Sequence, residues 1–291
     1  MNQLLVLLTL LIVSSCNSSP EVTSGLSTGT TSGQAIDASA PYLWSSTFPR
    51  KVSLSSTFRT DEIADITTSS LAWDQSVSNL KNFFQYNSPV TSTYNVTAPD
   101  SVMGIYKAFT WPKDIDSNAL AITQIFGRRY NVGDVDEYVK IEHADILINY
   151  RDHSFYTIGD SNAGDYDLKT VVLHEMGHFL GLQHIANYWN RPDSELVLSE
   201  KSYKASSVMY PSISGGEEKR IPQSKDVNEL VDKYNIGGFG GITPTASTRY
   251  RPKNEDPGRN IRILIELKTS GECVHKEDGA VIQRHQVKLN N

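Results

Sequence analysis

The stretch "LHEMGHFLGLQH", residues 173–184, constrains this chain more than any other. His174 and His178 are four apart, so a helix sets both imidazoles on one face, one turn from each other. Glu175, beside the first of them, projects toward the same side and can hold a water there. Gly181 follows, and glycine ends a helix cheaply because it accepts a left-handed backbone. A sharp turn at that point brings His184 back as a third ligand. Leu173, Met176, Phe179, Leu180 and Leu182 supply apolar positions that would bury such a helix. Three protein ligands and one open position form the arrangement of a catalytic zinc rather than a structural one. One Zn2+ is therefore expected on His174, His178 and His184, with Glu175 as the catalytic base.

The 291 residues are 38% hydrophobic and 21% charged, the balance of a globular chain with room for one good-sized core or two modest ones. Net charge is −6 and there is no run of Lys or Arg, which argues against a nucleic-acid partner. Leu4 to Val13 form an apolar run broken only by Thr9. It is too short to span a bilayer, which takes about 20 residues, but it suits a secretory leader. "IVSSC" resembles the lipobox of bacterial lipoproteins, which implies lipidation at Cys16 and attachment to a membrane of the cell envelope. An ordinary cleaved signal peptide is the alternative, and export is expected either way.

Only Cys16 and Cys273 are present, too few for a disulfide framework. With lipid on Cys16, Cys273 is an unpaired thiol; without it the two can pair. The expected organisation is a signal peptide over 1–15 and a Ser/Thr/Gly-rich tether over 16–40, "SGLSTGTTSGQ" at its centre. A catalytic domain spans 41–238, and a linker with a small β-rich tail spans 239–291. Within the domain "RKVSLSSTF" alternates like a strand. "RTDEIADITTSSLAWDQ" reads as a helix with apolar Ile63, Ile66, Leu71 and Trp73, and "GIYKAFTW", "ALAITQIFG" and "ADILINY" read as strands. Asp167 is placed to cap the histidine-bearing helix. "DVNELVDKYN" puts Val227, Leu230, Val231 and Tyr234 on one stripe of a last helix. "IRILIEL" and "AVIQRHQVKL" suggest a hairpin in the tail.

"HEMGHFLGLQH" followed by "SSVMYPSI" resembles the metzincin zinc metalloendopeptidases, and the order of elements from about residue 40 to 238 is most similar to the matrixins. The resemblance implies an α+β fold: a twisted, mostly parallel sheet, an active-site helix and a C-terminal subdomain containing a Met-turn. It implies that Met209 lies beneath the zinc ligands, that Tyr210 helps shape a substrate pocket, and that a protein or peptide substrate lies extended along an edge strand, here expected near "HSFYTIG". The chain departs from the matrixin pattern between "ADILINY" and the helix, where only Arg151 to Asp167 stand. A second, structural zinc is therefore not expected, and His143 and His153 read as exposed or hydrogen-bonded residues. Asp160, Asn162, Asp165 and Asp167 have oxygen spacing suited to Ca2+ but lack the distal glutamate of an EF-hand loop, so a solvated loop is the first reading there. No cysteine-bearing latency motif and no hemopexin-like repeat is visible. The expected function is an exported, monomeric zinc endopeptidase; the alternative is a catalytically silent metzincin scaffold that binds as a lipoprotein. Glu175 beside all three histidines favours catalysis.

Overall fold

Long β-branched and aliphatic runs set the centre of the fold. The computed structural model describes residues 40–44, 48–77, 82–89, 94–160, 164–184, 202, 206–234, 251–253, 256–269 and 272–286. The expected leader, Cys16 and nearly all of the expected tether lie outside the described residues. In chain order the elements are β1 (Tyr42–Trp44), β2 (Arg50–Leu54), α1 (Thr60–Ser76), β3 (Phe84–Tyr86), β4 (Gly104–Ala108), β5 (Ala119–Tyr130) and β6 (Tyr138–Asn149). There follow β7 (Phe155–Tyr156), β8 (Tyr166–Asp167), α2 (Leu168–Phe179), α3 (Ser224–Tyr234), β9 (Arg259–Lys268), β10 (Glu272–Glu277) and β11 (Ala280–Gln286).

The main sheet runs β11-β10-β9-β5-β6-β4-β2-β3, with β1 also on β6. Its β3-β2-β4-β6 half, with β1, is parallel, the arrangement that the metzincin resemblance implies for most of the sheet. Strands buried on both faces read as continuous apolar runs, and β5 and β6 are buried over most of their length. β5 lies antiparallel to β6, and β9, β10 and β11 continue antiparallel from it, so the whole sheet is mixed.

The tail differs from the hairpin expected. β10 falls between its two predicted strands, and the three form a meander that joins the main sheet at β5. Alternate residues of β9 face opposite sides. Ile261, Ile263 and Ile265 join the large core with Leu173, Met176 and Met209, while Leu264 packs with Trp111 and Ile122 on the other face. Burying each such side chain stabilises by roughly 1.5–3 kcal/mol, so the tail is built into the core rather than hung from it.

Two helices pack against each other next to the site. α1 carries Ile66 and Trp73 into the core, while Leu71, expected inside, is 47% exposed. The indole Nε1 of Trp73 donates to Leu173 O at 3.0 Å, fixing α1 on α2. On α3, Leu230 and Tyr234 are buried and Val227 and Val231 pack at its margin, as the stripe predicts. The "HSFYTIG" stretch pairs away from the main sheet, Phe155 opposite Tyr166 and Tyr156 opposite Asp167. Among the described residues no helix is long and apolar enough to cross a membrane.

Candidate metal centre

Helix α2 begins as its sequence demands. Asp167 is the N-cap, its carboxylate accepting from Thr170 N at 3.0 Å and Thr170 Oγ1 at 2.5 Å. Arg220 grips the same carboxylate at 2.8 and 3.0 Å, so Asp167 is engaged as a cap and ion-pair partner rather than free for Ca2+. Asn162 lies outside the described residues. At the other end Gly181 has φ +86°. Leu182 N donates to Gly177 O and Gly181 N to His178 O, the paired bonds of a Schellman stop. Nearby carbonyls are also satisfied: Trp44 Nε1 donates to Phe179 O at 2.7 Å and Tyr234 OH to Leu180 O at 2.8 Å.

The turn delivers His184 beside the other two histidines. The Nε2 atoms of His174, His178 and His184 stand 3.1, 3.1 and 3.3 Å from one another, all in buried rings. His174 Nδ1 donates to Val208 O at 2.6 Å and His178 Nδ1 to Leu182 O at 2.9 Å. A carbonyl accepts only, so each of these Nδ1 atoms carries the proton and each Nε2 turns a lone pair inward. Burial holds His174 down to about 4, keeping it neutral. Lone pairs converging at this distance repel unless a cation lies between them. Tetrahedral zinc, with metal–nitrogen bonds of about 2.0–2.1 Å, sets its ligand nitrogens roughly 3.3 Å apart. The donor set therefore fits zinc.

Glu175 is fully buried, and burial pushes its carboxyl up to about 8. Thr123 Oγ1 on β5 donates to Glu175 Oε2 at 2.5 Å, while Oε1 has no hydrogen-bond partner among the described residues. One oxygen is thus anchored and the other is left for a ligand or water. Met209 is buried beneath α2: a Cβ at Gly177 would lie 2.2 Å from its Sδ. The turn holding it is tied to α3, since Ser207 Oγ donates to Asp226 at 2.6 Å and Val208 N to the same carboxylate at 3.3 Å. Tyr210 is 5% exposed, with Lys219 Nζ over its ring at 4.7 Å. His143 bonds Asp145 at 2.8 Å and His153 bonds Ser117 O at 3.1 Å, as hydrogen-bonded histidines.

Three contributors were not read from the sequence. Thr123 sits on a strand 52 positions from Glu175. His275 and Cys273, both fully buried on β10, lie beside His184, and the three side chains form a second group able to hold a metal. His275 Nε2 is 3.3 Å from His184 Nδ1 although 91 positions separate them. Burial pushes the Cys273 thiol well above its usual value. Nothing in the alternation of the tail marks these two residues as neighbours of the zinc motif; only the pairing of β9 with β5 puts them there.

Residues 134–189 match the family model described as matrixin. No curated protein matches the chain at a significant level. Among solved structures, one similar chain is high choriolytic enzyme 1, a hatching-enzyme zinc protease from the medaka Oryzias latipes. It is 13% identical, with a TM-score of 0.31, over 64% of this chain and 89% of that one. The family match and the histidine triad together support a metzincin-like, zinc-metallopeptidase type of domain.

Proposed function

We propose that this chain is an exported zinc-dependent endopeptidase in which His174, His178 and His184 hold the metal and Glu175 is the general base. The observation that carries it is the convergence of three Nε2 atoms at 3.1–3.3 Å with a half-satisfied, buried glutamate on the same helix. Bound zinc would polarise a peptide carbonyl and acidify a water beside it. With the cation beside it favouring its carboxylate form, Glu175 would take a proton through Oε1 from the attacking water, whose oxygen bonds the peptide carbon. It would give that proton to the amine nitrogen as the C–N bond breaks, while Thr123 keeps the carboxylate from rotating away. Val208 O and Leu182 O hold two of the rings with Nε2 inward. Met209 acts as the Met-turn methionine, a packed floor under α2, and Tyr210 shapes the adjoining wall. Export, with lipid on Cys16, belongs to the same proposal.

Replacing Glu175 with Gln keeps the side chain's shape and removes the base. Zinc should remain at one per chain while peptide cleavage drops by 100-fold or more, roughly the contribution of a general base. Equal cleavage by both chains would remove Glu175 from the mechanism.

One observation favours the silent-scaffold reading. His174, Glu175 and His178 are wholly buried, and the outer edge of β5, the strand that holds Glu175, is filled by β9. Zinc binding without cleavage of any peptide would establish that alternative.

A further inference from the structure

A histidine holds a metal well only when its second ring nitrogen is held too, because the outer partner fixes tautomer and ring plane. For His174 and His178 that partner is a backbone carbonyl within the catalytic domain. For His184 the structure gives a side chain from the tail instead, His275 Nε2 at 3.3 Å from Nδ1. The two rings cross at 69° with centroids 5.2 Å apart, and His275 is fully buried. Its strand is fixed in place: β10 pairs with β9 from Cys273↔Leu267 to Glu277↔Ile263. β9 in turn pairs along β5 from Ala119↔Lys268 to Arg129↔Arg259. The same β5 carries Thr123, the partner of Glu175.

We propose that His275 is a positioning residue of the metal centre, and that through it the docking of β9 and β10 is coupled to metal occupancy. This rests on the metal-binding reading of His174, His178 and His184. Coupling between two equilibria is reciprocal. If a docked tail orients His184 and tightens the metal, the metal tightens docking of the tail by the same factor. Because β9 fills the outer edge of β5, this coupling also governs how readily an extended chain reaches that edge.

The test uses the full chain and reads zinc directly, by competition with a chromophoric chelator. His275→Leu keeps an apolar body in the buried site and removes the hydrogen bond; His275→Gln keeps a group that can accept from His184 Nδ1. Thermal unfolding monitors folding of both. Losing an outer partner costs about 10- to 100-fold in metal affinity, so His275→Leu should bind zinc at least about ten times more weakly than the native chain. His275→Gln should recover most of that loss, and Cys273→Ser should bind like the native chain. Hydrogen exchange in β9 and β10 should slow when zinc is added to the native protein. If folded Leu and Gln variants bind zinc as tightly as the native chain, or exchange in β10 ignores zinc, the proposal is overturned while the metal reading survives. Two zinc ions per native chain, one of them lost in Cys273→Ser, would also overturn it, because His184, Cys273 and His275 would then hold an ion of their own. A native chain that takes up no zinc overturns both readings at once.

Discussion

Gly181 and Gly177 lie four residues apart and differ in what they tolerate. At Gly181, φ +86° excludes most side chains, and an added Cβ would meet Tyr42 O at 2.3 Å. Gly181→Ala should destabilise by about 1–3 kcal/mol from backbone strain alone, and it should displace His184, so zinc titration and urea unfolding should both register the change. Gly177 has ordinary helical geometry, where alanine would add about 1 kcal/mol of helix propensity. Its Cβ would instead strike Met209 Sδ and crowd Trp73, both fully buried. Overpacking of this kind costs typically about 1–3 kcal/mol, so Gly177→Ala should lower the urea midpoint despite its propensity. Gly181 was legible in the sequence because a turn had to follow the second histidine. Gly177 was not, since only the packing of Met209 under the helix reveals why a glycine stands mid-helix.

At the scale of elements, helix α2 with its cap, stop and third histidine could be read directly, because each of those signals is local. The same holds for β2, β4, β5, β6, α1 and α3, whose apolar spacing announces them. The placement of the tail could not be read. "IRILIEL" says strand, but its partner is chosen by the register of β5, and that register joins residues more than a hundred positions apart. The tail's docking has an electrostatic component that can be tested. Lys268 Nζ on β9 lies 2.8 Å from Asp116, and that bond holds the Asp116 carboxyl below its ordinary 3.8. A depressed carboxyl contributes stability that is present above its unfolded value and lost as pH falls through its folded one. Asp116 is about a third exposed, so the contribution is at most about 1 kcal/mol. Between about pH 5 and pH 2 the native chain should lose more thermal stability than Asp116→Asn, the difference closing at the acid end.

For the whole molecule, the consequence of the fold is closure. A nine-stranded sheet continues past β5 into the tail, and Glu175 is fully buried. The sequence suggested an open edge near "HSFYTIG", but β7 leaves the main sheet to pair with β8, and the strand beside Glu175 is β5. An extended substrate that adds to β5 must take the place of β9. Arg128 and Asn260 are register partners across that seam and both are exposed. A disulfide between cysteines at these two positions should abolish peptide cleavage when oxidised, and a phosphine reductant should restore it. Undiminished cleavage by the pinned protein would show that substrate enters elsewhere.

The most direct test of zinc peptidase activity is zinc content together with peptide-library cleavage, read by mass spectrometry for residues 17–291 and for their Glu175→Gln variant. One zinc per chain in both proteins, with cuts made by the native chain alone, is the predicted result. A native chain without zinc, or one that holds zinc and cuts nothing, or cuts that persist in the variant, would contradict it.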